Sequence, residues 1–241
     1  MKIIFSPSKG MKYRKFTNLN TEKQMLFPEK TERLVDSLQK LSKSELGIAL
    51  KIKGSLLDET FIRYNNFYTL PKYKAIELYN GVSFSHLQPE EYSLENIEYL
   101  KNHLTIFSAL YGILSPETLI HPYRLDMTAK IEDFHLYSYW KSSIEFFFEK
   151  DECIINLASS EFSKLLDRKR YHIIDIEFRQ SYDGLLKNIS TEAKKMRGKL
   201  LNHLVKNQIV NLELLKSFSL DGYLFCKTLS KDNKLFFVKL K

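Results

Sequence analysis

The chain has 241 residues, of which 44% are apolar and 13% aromatic, and it carries a net charge of +8 from 37 Lys+Arg against 29 Asp+Glu. That is the composition of a globular protein with a substantial core. No apolar run approaches the roughly 20 residues of a membrane span, the opening MKIIFSPSKG is too short in its apolar part for a signal peptide, and Cys153 and Cys226 stand alone without a CxxC or His neighbour, so reduced thiols and a cytoplasmic location are expected.

Lys2 to Phe5 reads as a short buried strand, followed by the polar turn Ser6-Pro7-Ser8-Lys9-Gly10. Residues 11–27 show no period and read as loop. Helical patterns cover about 29–41, 42–51 and 54–66, the second opened by a capping box of Ser42 and Glu45. Residues 75–84 are ambiguous, with Asn80-Gly81 between apolar runs as a hairpin signal. Ser93 starts a helix of about ten residues with Leu94, Ile97, Leu100 and Leu104 on one face.

Leu104 to Phe107 is a buried strand, and it runs into a long segment dense in Tyr111-Gly112, Ser115-Pro116 and His121-Pro122-Tyr123-Arg124. In α/β sheets ligands bind past the carboxyl ends of strands, which marks this segment as a candidate site. Leu136 to Phe148 is an amphipathic helix whose stripe of Leu136, Trp140, Ile144 and Phe147 belongs to the core. Cys153 to Leu157 is a second buried strand ending in Ala158-Ser159-Ser160-Glu161, where Ser159 or Ser160 caps the next helix. A strand at 171–178, a helix at 191–206 with a short second helix near 211–217, and a closing strand at 235–240 complete the chain. There are no repeats or linkers, so residues 1–241 are expected to form a single domain of mixed α/β class, a central mixed sheet flanked by helices.

Three strand exits share a polar character: Ser6 to Lys9, the segment 111–124, and Asn156 to Glu161. If their strands lie parallel and adjacent, Ser6, Ser8, Lys9, Tyr111, Tyr123, Arg124, Asn156 and Ser159 converge on one cleft that suits a phosphate or another anion. No GxxxxGK[ST] or GxGxxG is present. Within the His121–Asp126 run, Arg124 either grips an anion or pairs with Asp126 to lock the loop. No order of Ser, His and Asp points to a defined catalytic mechanism, so no catalytic residue is assigned.

Charge is concentrated late in the chain: Lys164 to Lys206 holds 11 Lys/Arg and 5 Asp/Glu, a net of +6 by subtraction. Such a segment attracts nucleic acid through phosphate contacts, or is simply a solvated surface. On the helix at 191–206, Ala193, Met196, Leu200 and Leu204 form an apolar stripe, with Lys195, Lys199 and Lys206 on the opposite face. Lys194 joins these as a candidate DNA contact. Arg197 instead projects within about 40–60° of the apolar stripe. An inward Arg requires a partner, either a carboxylate such as Glu161 or Asp126, or an anion held in the cleft.

The segments IFSPSKGMKY (4–13), LYNGVSFSHL (78–87), FSALYGILSPETLIHPYRLDM (107–127), LYSYW (136–140), IINLASSEF (154–162), AKKMRG (193–198) and LDGYLF (220–225) together resemble the YaaA family of peroxide-stress proteins. The resemblance implies a mixed α/β fold with a basic cleft, a helix-hairpin-helix-like element fitting 191–217 best, DNA binding, and protection from hydrogen peroxide linked to lower free iron. It implies no firm catalytic activity. The leading expectation is a DNA-binding stress protein of weak sequence specificity, needing no cofactor and no resident metal. The alternative is an enzyme acting on a nucleotide or nucleobase in the strand-end cleft. Direct iron sequestration finds no obvious ligand set among lone cysteines and scattered histidines.

Overall fold

The computed structural model describes residues 1–131, 134–183 and 185–240. In chain order the elements are β1 (Lys2–Phe5), α1 (Pro28–Lys40), α2 (Lys43–Leu50), α3 (Ser55–Asn65), β2 (Tyr73–Lys74), α4 (Ala75–Leu78), α5 (Leu94–His103), β3 (Leu104–Ser108), β4 (Gly112–Leu114) and β5 (Leu119–Ile120). They continue with α6 (Leu136–Ile144), β6 (Cys153–Asn156), α7 (Ser160–Ser163), β7 (His172–Tyr182), β8 (Leu185–Lys187), α8 (Ser190–Lys206), α9 (Leu212–Lys216), β9 (Leu224–Phe225) and β10 (Lys234–Leu240). Eight strands form one mixed sheet in the order β4-β3-β1-β6-β7-β10-β9, with β8 paired to β7, and β2 and β5 form a separate ribbon. The mixed α/β class expected from the sequence is therefore correct.

Strand β1 sits in the middle, parallel to β3 through Ile3↔Leu104 and Phe5↔Ile106, and parallel to β6 through Ile3↔Ile155 and Ile4↔Asn156. Its Ile3, Ile4 and Phe5 are almost wholly enclosed, as continuous apolar runs in parallel sheets are. The chain leaves β1 toward β3 on one side and returns to β6 on the other. That reversal makes the carboxyl end of β1 a topological switch point, where a crevice opens between diverging connections.

The Ser42–Glu45 capping box opens α2 as expected, and a second box, Ser93 with Asn96, opens α5. Several boundaries differ from the sequence reading. Residues 75–84 do not form a hairpin: one turn of helix, α4, is followed by a turn in which the Asn80 N–H donates to the Gly10 carbonyl at 2.8 Å. The Asn-Gly pair serves the packing of that turn on the 6–10 loop, because a Cβ on Gly81 would lie 2.2 Å from Ser8 Oγ. Leu94 is 65% exposed and Leu104 already belongs to β3, so of the expected stripe Ile97 and Leu100 remain on the buried face of α5, where Tyr99 joins them. Helix α6 stops at Ile144, which leaves Phe147 exposed and sends Phe148 into the core in its place.

The segment after β3 contains a strand that the sequence reading treats as loop. β4 folds back antiparallel on β3 and is fully buried. Its tight start depends on Gly112, whose φ of +74° lies in the region that favours glycine. A Cβ there would also stand 2.6 Å from the Trp140 ring. Trp140 is itself completely buried and donates from its indole N–H to the Ala109 carbonyl at 2.8 Å. Gly112→Ala should therefore lower stability by about 2–3 kcal/mol, read from the urea midpoint at unchanged slope.

Candidate functional site

A cavity of about 280 Å³ opens at the switch point, lined by Phe5 to Gly10, the 81–84 turn, Tyr123 to Asp126, residues 157–162 in part, and Lys194 and Arg197 of α8. Two of the predicted exits thus converge directly. The third contributes only its later part, because β3 turns into the β3–β4 hairpin and the chain returns to the cleft at Tyr123.

The exits of β1 and β6 are tied by one hydroxyl. Ser6 Oγ accepts from the Ser159 N–H at 2.8 Å and donates to Ser159 Oγ at 3.2 Å. Ser159 occupies the cap position of α7, yet its side chain makes no cap hydrogen bond and faces Ser6 instead, so the expected side-chain cap is not formed. Ser8 Oγ accepts from the Gly10 N–H at 3.2 Å and closes the loop. Glu161 Oε1 accepts from the Met127 N–H at 3.0 Å, which pins the 121–127 segment against α7.

Tyr123 lines the cavity with its ring, while its hydroxyl lies within hydrogen-bond reach of Tyr79 at 2.8 Å and Ser108 at 2.7 Å. Burial pushes its pKa up to about 12 and raises Tyr79 and Tyr111 further, so all three phenols stay protonated at neutral pH. Tyr111 does not reach the cavity. It is completely buried and exchanges hydrogen bonds with the backbone of His121. Asn156 is also withdrawn from the cleft: its amide donates to Asp175 at 2.7 Å, and its oxygen accepts from the Ala158 N–H. His121 lies behind the site against Phe67, with ring centroids 4.9 Å apart, and desolvation lowers its pKa. These three residues are scaffold, and periodicity cannot separate a loop's inner layer from its exposed one.

The cationic groups divide into paired and unpaired. Lys9 bridges to Asp126 at 2.6 Å, so Asp126 is not the partner of Arg124. Lys195 and Lys199 both bridge to Asp221, at 3.1 and 2.6 Å, and Lys206 bridges to Glu91. The solvent-facing lysine row expected on α8 is thus neutralised in large part. Its partners come from a turn at 220–223 and a segment at 89–91, which helix periodicity does not reveal. By contrast, the guanidinium groups of Arg124 and Arg197 form no ion pair and no hydrogen bond among the described residues, and the buried Arg197 Nε has no partner. The ion pairs with Glu161 or Asp126 considered for Arg197 are not formed. Loss of solvation lowers the Arg197 pKa, with Glu177 opposing, but a guanidinium stays charged.

Arg197 reaches the cleft because α8 packs very close to the 81–84 turn. A Cβ on Gly198 would lie 2.0 Å from the Ser83 carbonyl oxygen, and Ser83 Oγ donates to the Lys194 carbonyl at 2.8 Å. Asn202, one turn on, accepts from the Gln88 N–H at 3.0 Å and from the Tyr92 hydroxyl at 2.8 Å. Neither Gly198 nor Asn202 stands out in the sequence beyond a glycine in the middle of a strong helical pattern.

With this geometry in place, comparison with known proteins decides the family. The profile described as peroxide stress protein YaaA matches residues 1–229. The chain belongs to the YaaA family. A UPF0246 protein of Fusobacterium nucleatum is 44% identical over 99% of both chains. UPF0246 proteins of Finegoldia magna and Rickettsia felis are 37% and 32% identical, each over 99% of this chain and over 98% and 100% of their own. Membership in the YaaA family supports a role in peroxide stress. No helix among the described residues is long and apolar enough to cross a membrane.

An unpaired, half-buried Arg is a stability cost that a ligand would offset. Arg197→Met should raise the urea-unfolding free energy by about 1 kcal/mol; a loss of stability instead would make Arg197 a structural residue. The carboxylate of Asp221 is held below its ordinary value, chiefly by the hydrogen bond from Lys199. A depressed carboxylate stabilises the fold above its unfolded pKa near 3.9, and that contribution is lost as pH falls through the lower folded value. Asp221→Asn should therefore be less stable than the parent at pH 7, and the two melting temperatures should converge as pH falls through and below the ordinary carboxylate range.

Proposed function

We propose that this YaaA-family protein acts in peroxide stress as a cytoplasmic DNA-binding protein of weak sequence specificity, protecting against oxidative damage linked to free iron. The observation that carries the DNA contact is the pair of unpartnered guanidinium groups, Arg124 and Arg197, at a cleft bordered by the exposed Lys194. Three cations that form no ion pair among the described residues, in one concave surface, suit a phosphate backbone, since each phosphate contact releases condensed counterions. Lys195, Lys199 and Lys206 form an outer rim that contributes when their carboxylate partners give way. On this reading, α8 and the short helix α9 that follows it would lie along the backbone as a helix-hairpin-helix-like element. The link to free iron rests on the family resemblance.

Duplex and junction DNA affinity measured across a salt series tests this. The parent should lose affinity steeply with salt, and a flat response removes the reading. The double variant Arg124→Ala/Arg197→Ala should flatten the slope of log K against log salt by about 2, close to 0.9 per lost phosphate contact. Asp221→Asn, which releases two lysines, should bind DNA more tightly on all sequences alike at low salt.

A further inference from the structure

Backbone contacts to a duplex need only cations, and the cleft offers more than that. Its inner wall is aromatic: Phe5 from β1, Phe84 from the 81–84 turn and Phe162 from α7 all line the cavity, with Phe5 and Phe84 packed edge to face at 5.2 Å. The same cavity is lined by Arg124 and Arg197, drawn from different elements and forming no ion pair among the described residues. Glu161 lies in the same lining, and among the described residues only one of its two carboxylate oxygens is engaged, by the Met127 N–H.

Each feature restricts the occupant. Two unpaired guanidinium forks match the charge and geometry of a phosphate monoester. An aromatic wall favours a flat ring over an inorganic anion alone. A free carboxylate oxygen disfavours a purely hydrocarbon tail and accepts from a ring amino or imino group. The volume of about 280 Å³ lies just below the range of small-ligand pockets, which runs from roughly 300 to 1,000 Å³. It has room for one such unit. The position at the switch point of parallel strands is where ring-plus-phosphate ligands are held in open α/β sheets.

We propose that this cavity binds a single nucleoside monophosphate unit, with the phosphate on Arg124 and Arg197, the base against the phenylalanine wall and Glu161 at the base edge. The unit is a free nucleotide or one nucleotide presented by a strand. A second cavity of about 210 Å³, also lined by Arg124 and reached past the Lys9–Asp126 bridge, gives a strand room for its neighbouring phosphate. The inference shares with the DNA reading the assignment of both arginines to phosphate, and adds the base.

Calorimetric titration of the full-length protein separates the parts, using the purine and pyrimidine nucleoside 5′-monophosphates, the matching nucleosides and inorganic phosphate. At least one monophosphate should bind about tenfold or more tightly than both its nucleoside and inorganic phosphate. Arg197→Ala should weaken that monophosphate by at least about tenfold and leave the nucleoside nearly unchanged. Arg124→Ala, whose side chain makes no hydrogen bond or ion pair among the described residues, gives the same answer independently, and Val82→Trp at the half-exposed cavity mouth should block binding with an unchanged melting temperature. Equal affinity for inorganic phosphate and every monophosphate overturns the proposal, as does monophosphate binding indifferent to both arginines. Salt-sensitive DNA binding without any nucleotide binding overturns this inference and leaves the DNA reading standing; nucleotide binding with salt-insensitive DNA binding does the reverse. Duplex DNA carrying 2-aminopurine tells the sources apart: a fluorescence rise competed by free monophosphate identifies a strand, and monophosphate binding without that rise identifies a free nucleotide.

Discussion

The parallel seating of β1 between β3 and β6 is the constraint on which the molecule depends. Four residues at the start of the chain pair with segments about a hundred and about a hundred and fifty residues away. Burial of Ile3, Ile4 and Phe5 contributes roughly 1.5–3 kcal/mol each. Because the chain departs to one side of β1 and returns on the other, the same pairing opens the crevice at its carboxyl end. The loops that meet there are then locked by few bonds: Ser6 to Ser159, Glu161 to the Met127 backbone, and Lys9 to Asp126. Core and cleft therefore share one origin.

Around that crevice the charges follow a division of labour. Carboxylates from distant turns neutralise the lysines of the outer face of α8, which keeps a strongly basic chain from repelling itself. Inside, no carboxylate among the described residues forms an ion pair with Arg124 or Arg197. Desolvating a guanidinium without a partner works against folding, and the close contact of Gly198 with Ser83 holds Arg197 in that position. A fold selected for stability alone would have placed an apolar side chain there. The departure from good packing practice coincides with the aromatic wall of the cavity, and this coincidence marks the site.

Much of the architecture was legible in the residues. The capping box at Ser42, the continuous apolar runs at 2–5 and 104–107, and the 3.6-residue stripe of α8 each carry a local signal strong enough to survive folding. The failures have physical causes. Asn80-Gly81 has the chemistry of a hairpin, but tertiary contact with Gly10 and Ser8 uses the glycine for close approach instead. β4 is short and buried, so nothing alternates along it, and the glycine that starts it looks like a loop residue. Phe147 and Phe148 differ by one position, and a helix that ends a turn early exchanges which of them is buried. Within the site, the inward direction of Arg197 followed from helical geometry, whereas the withdrawal of Tyr111 and Asn156 depended on layers that periodicity does not distinguish.

By itself the sequence determined the class of fold, the strand ends at which polar residues gather, the excess of positive charge and the anomalous Arg on the apolar side of α8. These are properties of local pattern and composition, each contained within a few turns or one strand. Only the tertiary structure decided which cations are paired, because Asp221 and Glu91 reach α8 from remote turns. It likewise decided that Phe5, Phe84 and Phe162 line one cavity, since they come from three separate elements. Pairing and enclosure depend on distances between segments far apart in the chain, and those distances exist only once β1 has drawn the sheet together.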